Sequence, residues 1–138
     1  MSELLPDDPL NQLIVDENQP VNRDTLARLL MGYITLKKGT WEIDFTEKFR
    51  ELPKKEALLL LLSAIKVRNL IDSKFKDEIT PSEIIKMEIM AEGTVKSSLK
   101  ILSDAKDIKV RDGKYSLPNY KIPSVAERLN KLKLQSNE

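Results

Sequence analysis

Two stretches of this sequence set chemically capable side chains at a spacing that a regular element would present together. The first is Gly93-Thr94-Val95-Lys96-Ser97-Ser98-Leu99-Lys100-Ile101-Leu102. Its apolar positions Val95, Leu99 and Leu102 recur at i, i+4 and i+7 and share one helical stripe, which leaves Thr94, Lys96, Ser97 and Lys100 outside. Lysines on such a face reach phosphates or guanine, and hydroxyls can donate to or accept from base edges, so the chemistry is that of a helix entering a major groove. The second stretch is Ile108-Lys-Val-Arg and Lys114-Tyr-Ser-Leu around Asp112-Gly113, a dipeptide suited to a type I′ turn because both central residues need positive φ. Alternation turns Ile108 and Val110 one way and Lys109 and Arg111 the other, giving a hairpin with a basic edge.

Other chemistries fare less well. The chain has no Cys and no His, which removes disulfides, thiolate nucleophiles, zinc fingers and imidazole bases. Ser63 and Lys66 match the S-x-x-K spacing of an acylating serine, but they lie in a leucine-rich helix with no companion motif. Asp7-Asp8 and Asp77-Glu78 read as surface charge, with no identifiable partners for a metal. With four glycines and no glycine-rich loop there is no phosphate cradle. Trp41, Phe45 and Tyr33 could stack on bases, yet aromatics alternating with Glu42 and Asp44 on a hairpin are more often core. The expectation is a non-enzyme that needs no cofactor and no metal.

Those candidate residues need a scaffold, and the chain is long enough for one core. Its 138 residues are 41% hydrophobic and 33% charged, the composition of a globular protein. The N-terminus lacks a basic region followed by an apolar core, and the longest apolar stretch is about half of what a membrane span needs, so a cytoplasmic location is expected. Net charge is +1, but it is unevenly spread: residues 1–31 hold six acids against two bases, residues 93–121 seven bases against three acids. Such asymmetry is compatible with a nucleic-acid surface and equally with ordinary solvation.

Residues 1–21, with Pro6, Pro9 and Pro20 among acids and amides, read as a flexible acidic arm with a short turn at Leu10 to Val15. Asn22 can cap a helix through Leu26 and Leu30 that Gly32 stops. A hairpin follows, turning at Lys38-Gly39 with Trp41, Ile43 and Phe45 inward, so 22–52 form a helix plus β-hairpin extension. After Pro53 comes KKEALLLLLSAIKVRNLI, a helix without a polar face in its middle turns and therefore covered on two sides. Thr80-Pro81-Ser82-Glu83 opens another with a capping box, running to about Ile89. Residues 119–138 read as a linker, NYKIP, and an amphipathic helix capped by Ser124 with Val125, Leu129 and Leu132 on one stripe. The fold class is mainly α with small β-hairpins.

The stretch TPSEIIKMEIMAEGTVKSSLKILSDAKDIKVRDGKYSLP, Thr80 to Pro118, resembles the winged helix-turn-helix superfamily of prokaryotic and archaeal regulators. There a helix opens T/S-x-x-E-I, a second reads G/S-T-V-x-x-x-L-x-x-L, and a basic hairpin closes the unit. The resemblance makes 53–118 the winged helix-turn-helix. It implies double-stranded DNA as partner, with Gly93, Thr94, Lys96, Ser97 and Lys100 in the major groove and Lys109, Arg111 and Lys114 on the wing. The expected function is a sequence-directed DNA-binding protein, a small transcriptional regulator or DNA-binding accessory of a mobile or plasmid system. The alternative is a winged-helix module that docks a protein partner in a larger assembly, to which the near-neutral total charge, Glu92 and the extra hairpin lobe point, and which an exposed patch at Met87 and Met90 would favour. A homodimer through the C-terminal helix is left open, and so is an acidic arm, residues 3–17, folded over the basic face.

Overall fold

A helix whose middle residues are nearly all leucine must be covered on every side, and that requirement organises the fold. In the computed structural model, which describes residues 7–13 and 20–136, this central helix α3 spans Lys54–Ile71, and its residues from Ala57 to Lys66 are all buried. Around it stand α1 (Arg23–Leu30), a hairpin of β1 (Ile34–Leu36) and β2 (Ile43–Phe45), and a single turn of helix α2 (Glu47–Arg50). Then come α4 (Pro81–Lys86), α5 (Glu92–Asp104), a second hairpin of β3 (Lys109–Arg111) and β4 (Lys114–Ser116), and α6 (Ile122–Ser136). Helices α1, α5 and α6 and strand β4 all pack on α3, so elements early and late in the described residues share one core. The architecture is mainly helical with two small antiparallel hairpins.

Local chemistry explains most boundaries. The Asn22 side chain accepts from the Thr25 N–H at 3.1 Å and starts α1. Past its C-terminal cap at Met31, Gly32 takes φ +88°, where any other residue would be strained. Thr80 and Glu83 form the reciprocal capping box of α4, with Pro81 at its first position. The strands of each hairpin pair in register, Ile34 opposite Phe45 and Lys109 opposite Ser116. Asp112 and Gly113 both have positive φ, as the type I′ turn requires.

Several expectations are corrected. The first hairpin turns through a wider loop, closed by the Lys37 N–H to the Glu42 carbonyl at 2.9 Å, and Trp41 sits in it at φ +59°. Trp41 therefore leaves the alternation: Ile43 and Tyr33 are buried and Phe45 packs on the core, whereas Trp41 is half-buried outside it. Helix α4 stops at Lys86, short of Ile89, because Glu88 enters the left-handed region at φ +56°. Val110 does not follow Ile108 inward: Ile108 is buried and Val110 is 46% exposed. Helix α6 starts at Ile122, so Ser124 lies inside it, and the expected linker is a 3-10 turn, Asn119–Lys121, leading directly into the helix. Its apolar stripe, Ile122, Val125 and Leu129, is buried within the chain, with α1 and α3 as neighbours.

The 3-10 turn near the N-terminus spans Pro9–Leu13, and its Leu10 N–H donates to Asp8 Oδ1 at 2.8 Å. The rest of the turn expected to reach Val15, and most of the expected acidic arm, lie outside the described residues. Among the described residues no helix is long and apolar enough to cross a membrane.

Candidate nucleic-acid interface

Helix α5 is held by its apolar stripe. Val95, Leu99 and Leu102 are buried against a core that includes α3, and Ser98, a small residue, is buried beside them. That anchoring turns Gly93, Lys96, Ser97 and Lys100 to solvent, while Thr94 is half-buried. The Thr94 carbonyl accepts from Ser97 Oγ at 3.3 Å, a side-chain hydrogen bond between two of the expected contact residues.

The charges on this face are paired. Lys96 Nζ lies 3.1 Å from Glu92 and Lys100 Nζ 3.2 Å from Asp104, both at i,i+4 spacing and both well exposed. The lysines are thus bracketed and balanced by the acids at the two ends of their own helix. Ile101 is 52% exposed alongside them.

On the hairpin, Arg111 donates to Glu78 at 3.2 Å, tying the strand end to the segment before Ile79. Ile79 and Tyr115 exchange backbone hydrogen bonds of 3.0 and 2.8 Å, so a short third strand flanks β4, a pairing that sequence periodicity does not reveal. Lys109 is exposed and Lys114 half-buried, and neither has an ion pair among the described residues. Met87 and Met90 are half-buried against the core, so they form no open apolar patch.

The remaining candidates have other partners. Ser63 Oγ donates to the Leu59 carbonyl at 2.8 Å inside α3, and Lys66, buried, donates to Asp77 Oδ2 at 2.8 Å. The two members of the Ser63/Lys66 motif thus direct their hydrogen bonds elsewhere. Both acids of Asp77-Glu78 pair with bases, Lys66 and Arg111. The segment carrying them is fastened to the end of α3 by Asn69 Nδ2 on the Phe75 carbonyl at 2.8 Å and by Arg68 over the Phe75 ring. Burial lowers the Arg68 guanidinium below its ordinary range, and the Glu83 carboxylate works against that shift.

Compared with protein-family models, with curated proteins and with solved structures, the chain has no match.

Proposed function

We propose that this chain is a cytoplasmic DNA-binding protein, a small transcriptional regulator or DNA-binding accessory, in which α3, α4, α5 and the β3-β4 hairpin act as a winged helix-turn-helix. The observation that carries the reading is the outer face of α5, where Gly93, Lys96, Ser97 and Lys100 stand exposed on a helix whose opposite stripe is buried. The hairpin that follows adds Lys109, Lys114 and, behind its bond to Glu78, Arg111. Pairing of the α5 lysines costs little to undo, because exposed i,i+4 ion pairs contribute only about 0.3–0.5 kcal/mol. Exchange of Glu92 and Asp104 for phosphate releases counterions from DNA and is favoured at low salt.

Fluorescence anisotropy with labelled duplex across a salt series tests this. Affinity should fall steeply with salt, and Lys96→Ala, Lys100→Ala and Lys109→Ala should each flatten the slope by about one counterion. Glu92→Gln, which frees Lys96 and removes a repulsive charge, should tighten binding about two- to threefold. Absence of duplex binding at low salt sinks the proposal.

A second reading is favoured by the exposed Ile101 and Val110 among balanced charges, a surface compatible with docking a protein. On that reading Ile101→Asp and Val110→Asp abolish association with the partner, while the lysine variants leave it unchanged.

A further inference from the structure

Helix α1, the C-terminal end of α3 and strand β1 leave a cavity of about 450 Å3 between them. Its floor is apolar: Leu26, Leu30 and Ile34 line it and are buried. Its rim is apolar too, but open to water, with Met31 72% and Ile71 46% exposed. Large apolar side chains left in water around a concave surface are costly and mark a place where something binds. Arg23, the first residue of α1, and Thr35 carry the only polar side chains of the lining. Arg23 is exposed and has no ion pair among the described residues, whereas Arg28, further along α1, is held by Asp24 at 2.9 Å.

We infer that this cavity binds a small apolar monocarboxylate, such as a medium-chain fatty acid, with its tail over Leu26, Leu30 and Ile34 and its carboxylate on Arg23. The volume lies within the range of small-molecule sites, and a mostly apolar lining with a few polar groups is their usual make-up. One guanidinium with no acid in the lining calls for one negative charge, and a carboxylate matches its planar fork with two hydrogen bonds. Met31, unbranched and flexible, adapts to tails of different shape. A protein partner fits less well. A specific interface covers roughly 20–30 residues a side, and among the described residues Met31 and Ile71 are the only exposed large hydrophobics that border this cavity. No residue of α5 or its hairpin lines the cavity, so the site holds whether or not that face binds DNA.

Calorimetric titration of the full chain with octanoate, 1-octanol and acetate tests it, with amide NMR shifts to locate binding. Octanoate should shift the amides of Ala27, Leu30, Thr35 and Val67. It should bind about three- to fivefold more tightly than octanol, which has the tail without the charge. Acetate, which has the charge without the tail, should bind about a hundredfold more weakly than octanoate. Arg23→Gln, at an exposed position, should remove the preference for octanoate and leave octanol binding unchanged. Ala27→Trp, also at an exposed position, fills the groove and should abolish binding of both. Circular dichroism shows whether that variant is folded, and Arg23→Gln decides the matter if it is not. No shift of these amides at about 10 mM octanoate overturns the inference, and so does equal affinity of the wild-type chain for octanoate and octanol. Shifts scattered over the surface that Ala27→Trp leaves unchanged mark detergent-like adsorption and overturn it too. So does self-association that Ala27→Trp abolishes without any octanoate shift, the mark of a second copy seated in the groove.

Discussion

Between α4 and α5 the chain reverses at Glu88, an L residue held at φ +56°. The left-handed conformation costs a residue with a Cβ about 1–2 kcal/mol, and glycine avoids the cost while losing some chain entropy on folding. Glu88→Gly should therefore raise stability by about 0.5–1 kcal/mol in urea unfolding. Gly113 is the mirror case: at φ +76° nothing lies within 4 Å of an added Cβ, so Gly113→Ala isolates the backbone penalty and should lower stability by about 1 kcal/mol. If both substitutions move stability in the same direction, the turn conformations are not those described. The balance of charge on α5 is read at this level too. Glu92 with Lys96 and Lys100 with Asp104 are spaced four apart and could have been paired from the sequence alone; a face rich in lysine is not thereby a face rich in charge.

Elements governed by neighbours in sequence were legible, and those governed by distant contacts were not. The ends of α3, the caps at Asn22 and Thr80 and the Asp112-Gly113 turn all rest on interactions within a few residues. Helix α2 went unread because its logic is long-range. Thr46 caps it through the Phe49 N–H, yet the same hydroxyl donates to the distant Gly32 carbonyl at 2.8 Å, and Phe49 is buried in the core beside Phe45. The Ile79 bridge to Tyr115 and the meeting of Lys66 with Asp77 likewise join residues from separate elements and have no local signature. The outward residues of α5 were readable from its stripe, whereas the engagement of Arg111 by Glu78 was not. The capping box shows how much a local device contributes. Thr80 accepts from the Glu83 N–H at 3.2 Å and its own N–H donates to Glu83 Oε1 at 3.1 Å. Thr80→Ala should lower stability by about 1 kcal/mol in urea unfolding, and Thr80→Ser should restore most of it. Equal loss in both variants would mean that the methyl group, not the hydroxyl, holds the helix start.

Helices α1, α5 and α6 all pack on α3, and Tyr33 reports on the joint between the N-terminal elements and α6. The residue is buried just ahead of β1, with Lys48 of α2 5.0 Å and Lys133 of α6 5.9 Å from the ring centroid, and it borders a cavity shared with Leu52 and Leu132. Burial raises its phenol above the ordinary value of 10.0, since a phenolate is disfavoured away from water. The sign follows from linkage: with the folded value above the unfolded one, the folded state holds the proton longer. Its contribution is fully present below about pH 10 and is lost as pH rises through the raised folded value. Urea unfolding at steps from about pH 8 to 11 should therefore show the wild-type chain losing more stability than Tyr33→Phe, which keeps the ring and its two ammonium neighbours but cannot ionise. Deprotonation of lysines in the same window acts on both proteins and cancels in the difference. Parallel curves for the two proteins would mean that Tyr33 ionises as freely folded as unfolded. The junction between the N-terminal elements and α6 would then be open to water rather than part of the common core.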